Sequence, residues 1–181
     1  KRAGHPFPKA MTRLVLLSGG PAAEVRALQA QVAGSLATSS DLRWDGQWQP
    51  LTAAEPPHRV LQALTALPAE PMPALLGLPL DPGLPVAGGG HWAEALGAWR
   101  QPALLVFSLK QLESGLPAAM VALLQQWQVP LVGLLQWGEP WDGPARRCDG
   151  LPWLGAMAPG ATAWDPALRE ALALAVRSRL D

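Results

Sequence analysis

The residues able to do chemistry gather just after short apolar runs. Ser18, Gly19 and Gly20 follow one such run and precede Pro21. Glycines between a strand and a helix let backbone N–H groups close on an anion, which makes these three candidate ligand-binding residues. A P-loop, however, needs Gly-x-x-x-x-Gly-Lys-Ser/Thr, whose lysine meets the phosphates and whose hydroxyl meets Mg²⁺. The run Ser18-Gly-Gly-Pro-Ala-Ala-Glu-Val25 has no lysine, and Glu24-Val25 stand where the lysine and the Mg²⁺-binding hydroxyl would be. Pro21 also removes one N–H, and Glu24 brings a negative charge to the first helical turn. The same residues therefore also read as a plain strand-to-helix turn.

Five other positions carry reactive or charged groups. His91 follows Gly88-Gly89-Gly90 and suits either a capping role or general-base work, with Glu94 its near acidic neighbour. Glu113 lies in a later loop. Arg146 and Arg147 form a pair able to hold a phosphate or carboxylate by bidentate hydrogen bonds, or to be a solvated loop face. Cys148 sits beside them, and neighbouring cations favour a thiolate, although a lone loop thiol is also ordinary. His5, His58 and His91 are far apart in sequence and no cysteine pair helps them, so no metal site is expected.

The rest of the composition narrows the class. The chain has 181 residues, 49% hydrophobic and 15% charged, enough for one domain with a sizeable core. Fourteen Lys+Arg balance fourteen Asp+Glu, which provides no electrostatic footprint for nucleic acid or an anionic membrane. No apolar run approaches the roughly 20 residues of a membrane span. The single cysteine excludes an intrachain disulfide and suits a reducing compartment, so a cytoplasmic location is expected. Twenty Pro and eighteen Gly are spread along the chain and punctuate apolar segments, as many short connections require.

Those segments must position the candidates. Residues 1–10 lack periodicity and an apolar signal-peptide region; they read as a leader or loose arm, with Met11 a natural start. Residues 11–181 read as one domain. Thr12–Ser18 is a buried strand, and Val25, Leu28, Val32 and Leu36 fall at helical spacing behind it. Asp41–Thr52 suits an edge strand, a hairpin or a loop. Pro56-Pro57 opens a second helix. Met72–Asp81 is a strand candidate weakened by Pro73 and Pro79. A short helix carries Trp92, Leu96 and Trp99. Pro102–Leu109 is a clear strand, Leu116–Trp127 a helix and Pro130–Trp137 a strand. A Gly/Pro-rich loop spans Gly138–Gly150, Leu151–Met157 is a last strand, and Asp165 caps a terminal helix. Trp92, Trp99 and Trp127 suit the core, whereas Trp137, Trp141 and Trp153 gather at strand ends and loops.

Continuously apolar strands alternating with helices predict a parallel sheet covered on both faces. The expected fold is therefore a three-layer, doubly wound, mainly parallel α/β sandwich of Rossmann-like type. Ligands of such sheets bind beyond the carboxyl ends of the strands. In this chain those ends are the loops Ser18–Glu24, Asp81–His91, Ser108–Gly115 and Gln136–Asp149.

From Leu75 onward the order of short patterns resembles the second half of the dethiobiotin synthetase family, within the P-loop ATPases that include the ParA/MinD-like proteins. Pro102-Ala-Leu-Leu-Val106 is similar to the family's Pro-x-hydrophobic-Val strand, and Gly115 to the glycine after it. Pro130-Leu-Val-Gly-Leu-Leu-Gln136 resembles its Val-x-Gly strand, with Gln136 where the family has an Asn near the nucleotide base. Pro152-Trp-Leu-Gly-Ala-Met-Ala-Pro159 is similar to its Pro-x-Leu-Gly-x-x-Pro, by the base-binding site. The family's phosphate loop is missing at Ser18–Val25, and its acidic-Gly-x-Gly-Gly is not matched by Leu76-Gly-Leu-Pro-Leu80.

The resemblance implies a P-loop-NTPase-like fold whose nucleotide cradle has decayed. The expected protein is a degenerate, non-catalytic binding or accessory module without a cofactor, acting through its Trp-rich and Gly/Pro-rich loops on a protein partner or a second copy. The alternative is a small-molecule ligase or transferase with its site at the same strand ends, drawing on His91, Glu113, Arg146, Arg147 or Cys148.

Overall fold

The computed structural model describes residues 13–37, 48–52, 55–66, 74–159 and 165–180. The leader expected at residues 1–10 and Trp44 lie outside them. Among these residues six strands form one sheet: β1 (Arg13–Leu17), β2 (Trp48–Pro50), β3 (Ala74–Gly77), β4 (Ala103–Ser108), β5 (Leu131–Trp137) and β6 (Trp153–Met157). Seven helices among the described residues connect or follow them: α1 (Ala22–Ala37), α2 (Pro57–Ala66), α3 (Trp92–Ala98), α4 (Leu109–Leu112), α5 (Leu116–Gln126), α6 (Gly143–Cys148) and α7 (Pro166–Leu180).

Every strand pair is parallel, in the order β2-β3-β1-β4-β5-β6. The order differs from the Rossmann order 3-2-1-4-5-6 only by exchange of β2 and β3. The chain moves one way across the sheet from β1 to β2, then the other way for each later strand. Because parallel crossovers are right-handed, that single reversal puts α1 on one face and α2, α3 and α5 on the opposite one.

The packing follows this split. On one face Leu14, Leu16, Leu104 and Val106 meet Val32 and Leu36 of α1 and Leu168 and Leu172 of α7. On the other Val15, Leu17, Leu105 and Phe107 meet Leu61 of α2, Trp92 and Leu96 of α3 and Leu124 of α5. Alternate residues of β1 and β4 thus feed two cores, which is why both strands are apolar throughout. The three-layer α/β sandwich expected from the sequence is the fold observed.

Gly97 fixes the approach of α3 to α5. A Cβ at this position would fall 1.8 Å from the backbone oxygen of Trp127. The two helices also end alike. Trp99 and Trp127 are C-caps, followed by Arg100 at φ 52° and Gln128 at φ 55°, both left-handed. Gln101 N then donates to Leu96 O and Val129 N to Leu124 O, closing the same terminal turn in each.

Some boundaries differ from expectation. Among the described residues the third strand is Ala74–Gly77; it ends short of the expected Asp81, where Pro79 lacks the N–H for a further ladder bond, and Met72 and Pro73 lie outside the described residues. Of the three readings of 41–52, the edge strand holds at Trp48–Pro50. The segment 138–150, expected as loop, contains α6: Pro144 lies in the first turn, and Asp142 Oδ1 accepts from Ala145 N at 3.0 Å as its N-cap. Trp92 is fully buried, as a core residue should be, whereas Trp99 and Trp127 are half-buried.

Candidate functional site

β1 and β4 are neighbours whose connections leave in opposite directions, so a crevice is expected between their carboxyl ends. Ser18 and Gly19 lie there, both buried, and Gly20 follows at φ 108°. The crevice is lined from within the chain. Gln111 of α4 donates through Nε2 to Ser18 Oγ at 3.2 Å and to the Gly19 carbonyl. Its Oε1 accepts from Ser108 N at 2.8 Å, closing the start of α4. Leu116 of α5 covers Gly19 so closely that a Cβ there would come within 2.9 Å of Leu116 Cδ1. The same point lies 3.3 Å from Asp81 Oδ2, so a carboxylate stands beside the turn. A phosphate cradle needs open N–H groups and positive charge. This turn presents an apolar lid, a side-chain amide and a carboxylate.

The sequence candidates farther along are dispersed. Gln136 is 1% exposed, and its Nε2 donates to Gly138 O at 2.9 Å and Pro140 O at 2.7 Å. It braces the loop after β5 with both amide hydrogens. Gln29 of α1 works the same way between strands, donating to Leu16 O at 2.9 Å and Leu78 O at 2.8 Å. Glu113 is the exposed C-cap of α4. Arg146 lies 5.2 Å from the centre of the Trp153 ring and 4.0 Å from Asp149 Oδ2. Asp149 Oδ2 also accepts from Trp153 Nε1 at 2.9 Å, and Trp141 packs edge-on to Trp153 at 6.2 Å. Arg146 thus belongs to the cover of the β5–β6 crossover. Arg147 and Cys148 are exposed on α6.

His91 has a different setting. It is the N-cap of α3, and its Nδ1 accepts from Glu94 N at 3.2 Å. Its ring meets Trp127 edge-on at 5.0 Å. It lines a cavity of about 370 Å³ together with Pro57 and His58 of α2, Gly88, Gly89, Gly90 and Glu94. None of Glu113, Arg146, Arg147 or Cys148 reaches this cavity.

His58 is the residue that sequence reasoning missed. Thirty-three positions separate it from His91, yet the crossovers through β3 bring α2 and α3 together on one face. Its Nδ1 accepts from Trp99 Nε1 at 3.1 Å. The only sequence signal was indirect: the helical stripe of Trp92, Leu96 and Trp99 placed an indole at the end of α3, where it could reach a neighbouring helix. Among the described residues no group of three His, Cys, Asp or Glu could hold a metal ion, and no helix is long and apolar enough to cross a membrane.

A scan against models of known protein families finds no match to this chain, and a search of curated proteins finds none either.

Proposed function

We propose that this chain is a non-catalytic binding or accessory module on a P-loop-ATPase-like α/β frame, not a nucleotide hydrolase. One observation carries the reading: the crevice between the carboxyl ends of β1 and β4 is occupied by Gln111 and Leu116, with Asp81 beside Gly19. A triphosphate would have to displace a packed leucine and a bonded amide, then sit against a carboxylate with no lysine to offset it. Contact with a protein partner suits the loops at the same end of the sheet. Leu84 and Trp141, exposed by 52% and 38%, lie in the loops after β3 and β5, and Leu109, exposed by 40%, opens α4 directly after β4.

Thermal unfolding with and without Mg²⁺·ATP, paired with a phosphate-release assay, tests this. Binding to the native state would raise the midpoint by mass action. The expected result is an unchanged midpoint and no phosphate release above the buffer rate. ATP hydrolysis by the purified chain, abolished by substitution at Gly19 or Gly20, would overturn the reading.

A further inference from the structure

The cavity between α2 and the Gly88–Gly90 loop has a defined chemistry. A backbone N–H and an indole N–H can only donate, so the ring atom each one meets must be a bare acceptor. Glu94 N fixes Nδ1 of His91 as that acceptor, and Trp99 Nε1 does the same for His58. In both neutral rings the proton therefore sits on Nε2. Both rings line the cavity, and in each the one nitrogen that is not already accepting a hydrogen bond is a donor, not a base.

The other functional group is the Glu94 carboxylate. Among the described residues no Lys or Arg lines the cavity to offset it. Gly90, at φ 74°, leaves it room: a Cβ at Gly90 would lie 3.1 Å from Glu94 Oε2. Gly88 and Gly89, at φ 95° and 92°, have open space where a side chain would stand. Val86 N donates to Gly90 O and Gly89 N to Val86 O, both at 3.1 Å, so the loop is internally bonded and holds its shape.

Two neutral donors and one uncompensated carboxylate reject an anion and suit a ligand with a positive group and several acceptor oxygens. We propose that the cavity between α2 and the triglycine loop binds a small hydroxylated amine, its ammonium on Glu94 and its oxygens on the Nε2–H groups of His58 and His91. A cavity of about 370 Å³ holds a single-ring molecule of this kind. The site is separate from the β1–β4 crevice and stands whether or not that crevice takes a nucleotide.

Isothermal titration of the full chain with D-glucosamine, D-glucose and D-glucose 6-phosphate tests the proposal. Glucosamine should bind at least about tenfold more tightly than glucose, and the phosphate ester should not bind. Glu94→Gln should bring glucosamine down to the level of glucose, and His58→Phe should weaken both sugars. Thermal melts of the variants report whether they remain folded. Long-range ¹H–¹⁵N spectra of the unliganded protein should show both imidazoles protonated at Nε2, which needs no ligand or variant. The proposal is overturned if glucosamine gains nothing over glucose, if Glu94→Gln leaves that gain intact, if none of the three binds, or if either ring carries its proton on Nδ1.

Discussion

The Gln111 amide donates to Ser18 Oγ at 3.2 Å, joining two residues 93 positions apart across the mouth of the sheet. The same side chain holds the Gly19 carbonyl and the Ser108 N–H. One residue thus ties the end of β1 to the end of β4 and fills the gap between them. Its removal tests whether that gap is a closed structural joint. Gln111→Ala would strand a buried hydroxyl, a carbonyl and an amide, at about 1–3 kcal/mol. Urea unfolding should show the loss as a lower midpoint. An unchanged midpoint would mean that water replaces the amide freely and that the crevice is open.

Gly97, the single glycine of α3, is expected to tolerate no side chain. A methyl group there meets the Trp127 carbonyl, which is main chain and cannot rotate away. Overpacking of a tight core typically costs about 1–3 kcal/mol, and Gly97→Ala should lie at or above the upper end of that range. The gain of about 1 kcal/mol that alanine normally brings to a helix interior is too small to reverse the sign. A thermal midpoint equal to or above that of the parent would contradict the close approach of α3 and α5.

The left-handed residue closing α5 offers the opposite sign. Gln128 has φ 55°, is exposed and carries its backbone bond to Gln125 O at 3.0 Å. Glycine adopts this conformation without steric cost, whereas other L-residues pay about 1–2 kcal/mol. Part of that gain is lost to the greater freedom of glycine in the unfolded chain. Gln128→Gly should therefore stabilise the protein by about 0.5–1 kcal/mol, read as a rise of a few degrees in Tm. A fall in Tm would show that the Gln128 side chain contributes more than its backbone strain costs.

Much of the architecture was legible in the residues. Leu14–Leu17 and Leu104–Phe107 are apolar at every position, and so short a run bounded by Gly or Pro suits a strand buried on both faces. Their alternation with helical stripes then fixed the layers. The short elements were not legible. α6 begins at Gly-Pro and ends at Arg-Arg-Cys, with too few apolar residues to show a period. It is held instead by the Asp142 cap and by Arg146 over Trp153.

The candidate site divides in the same way. Ser18, Gly19, Gly20 and His91 could be found from sequence because glycines beside a strand end mark a turn that a ligand can approach. Their surroundings were set by partners far along the chain. Gln111 and Leu116 close the first turn, and His58 joins His91 from another helix. Periodicity and turn chemistry act over a few residues, so the sequence alone determined the long helices, the apolar strands and the strand-end positions of the main loops. The identity of the side chains meeting at each strand end depends on crossover direction and strand order. These are properties of the whole sheet, and only the tertiary structure decided them.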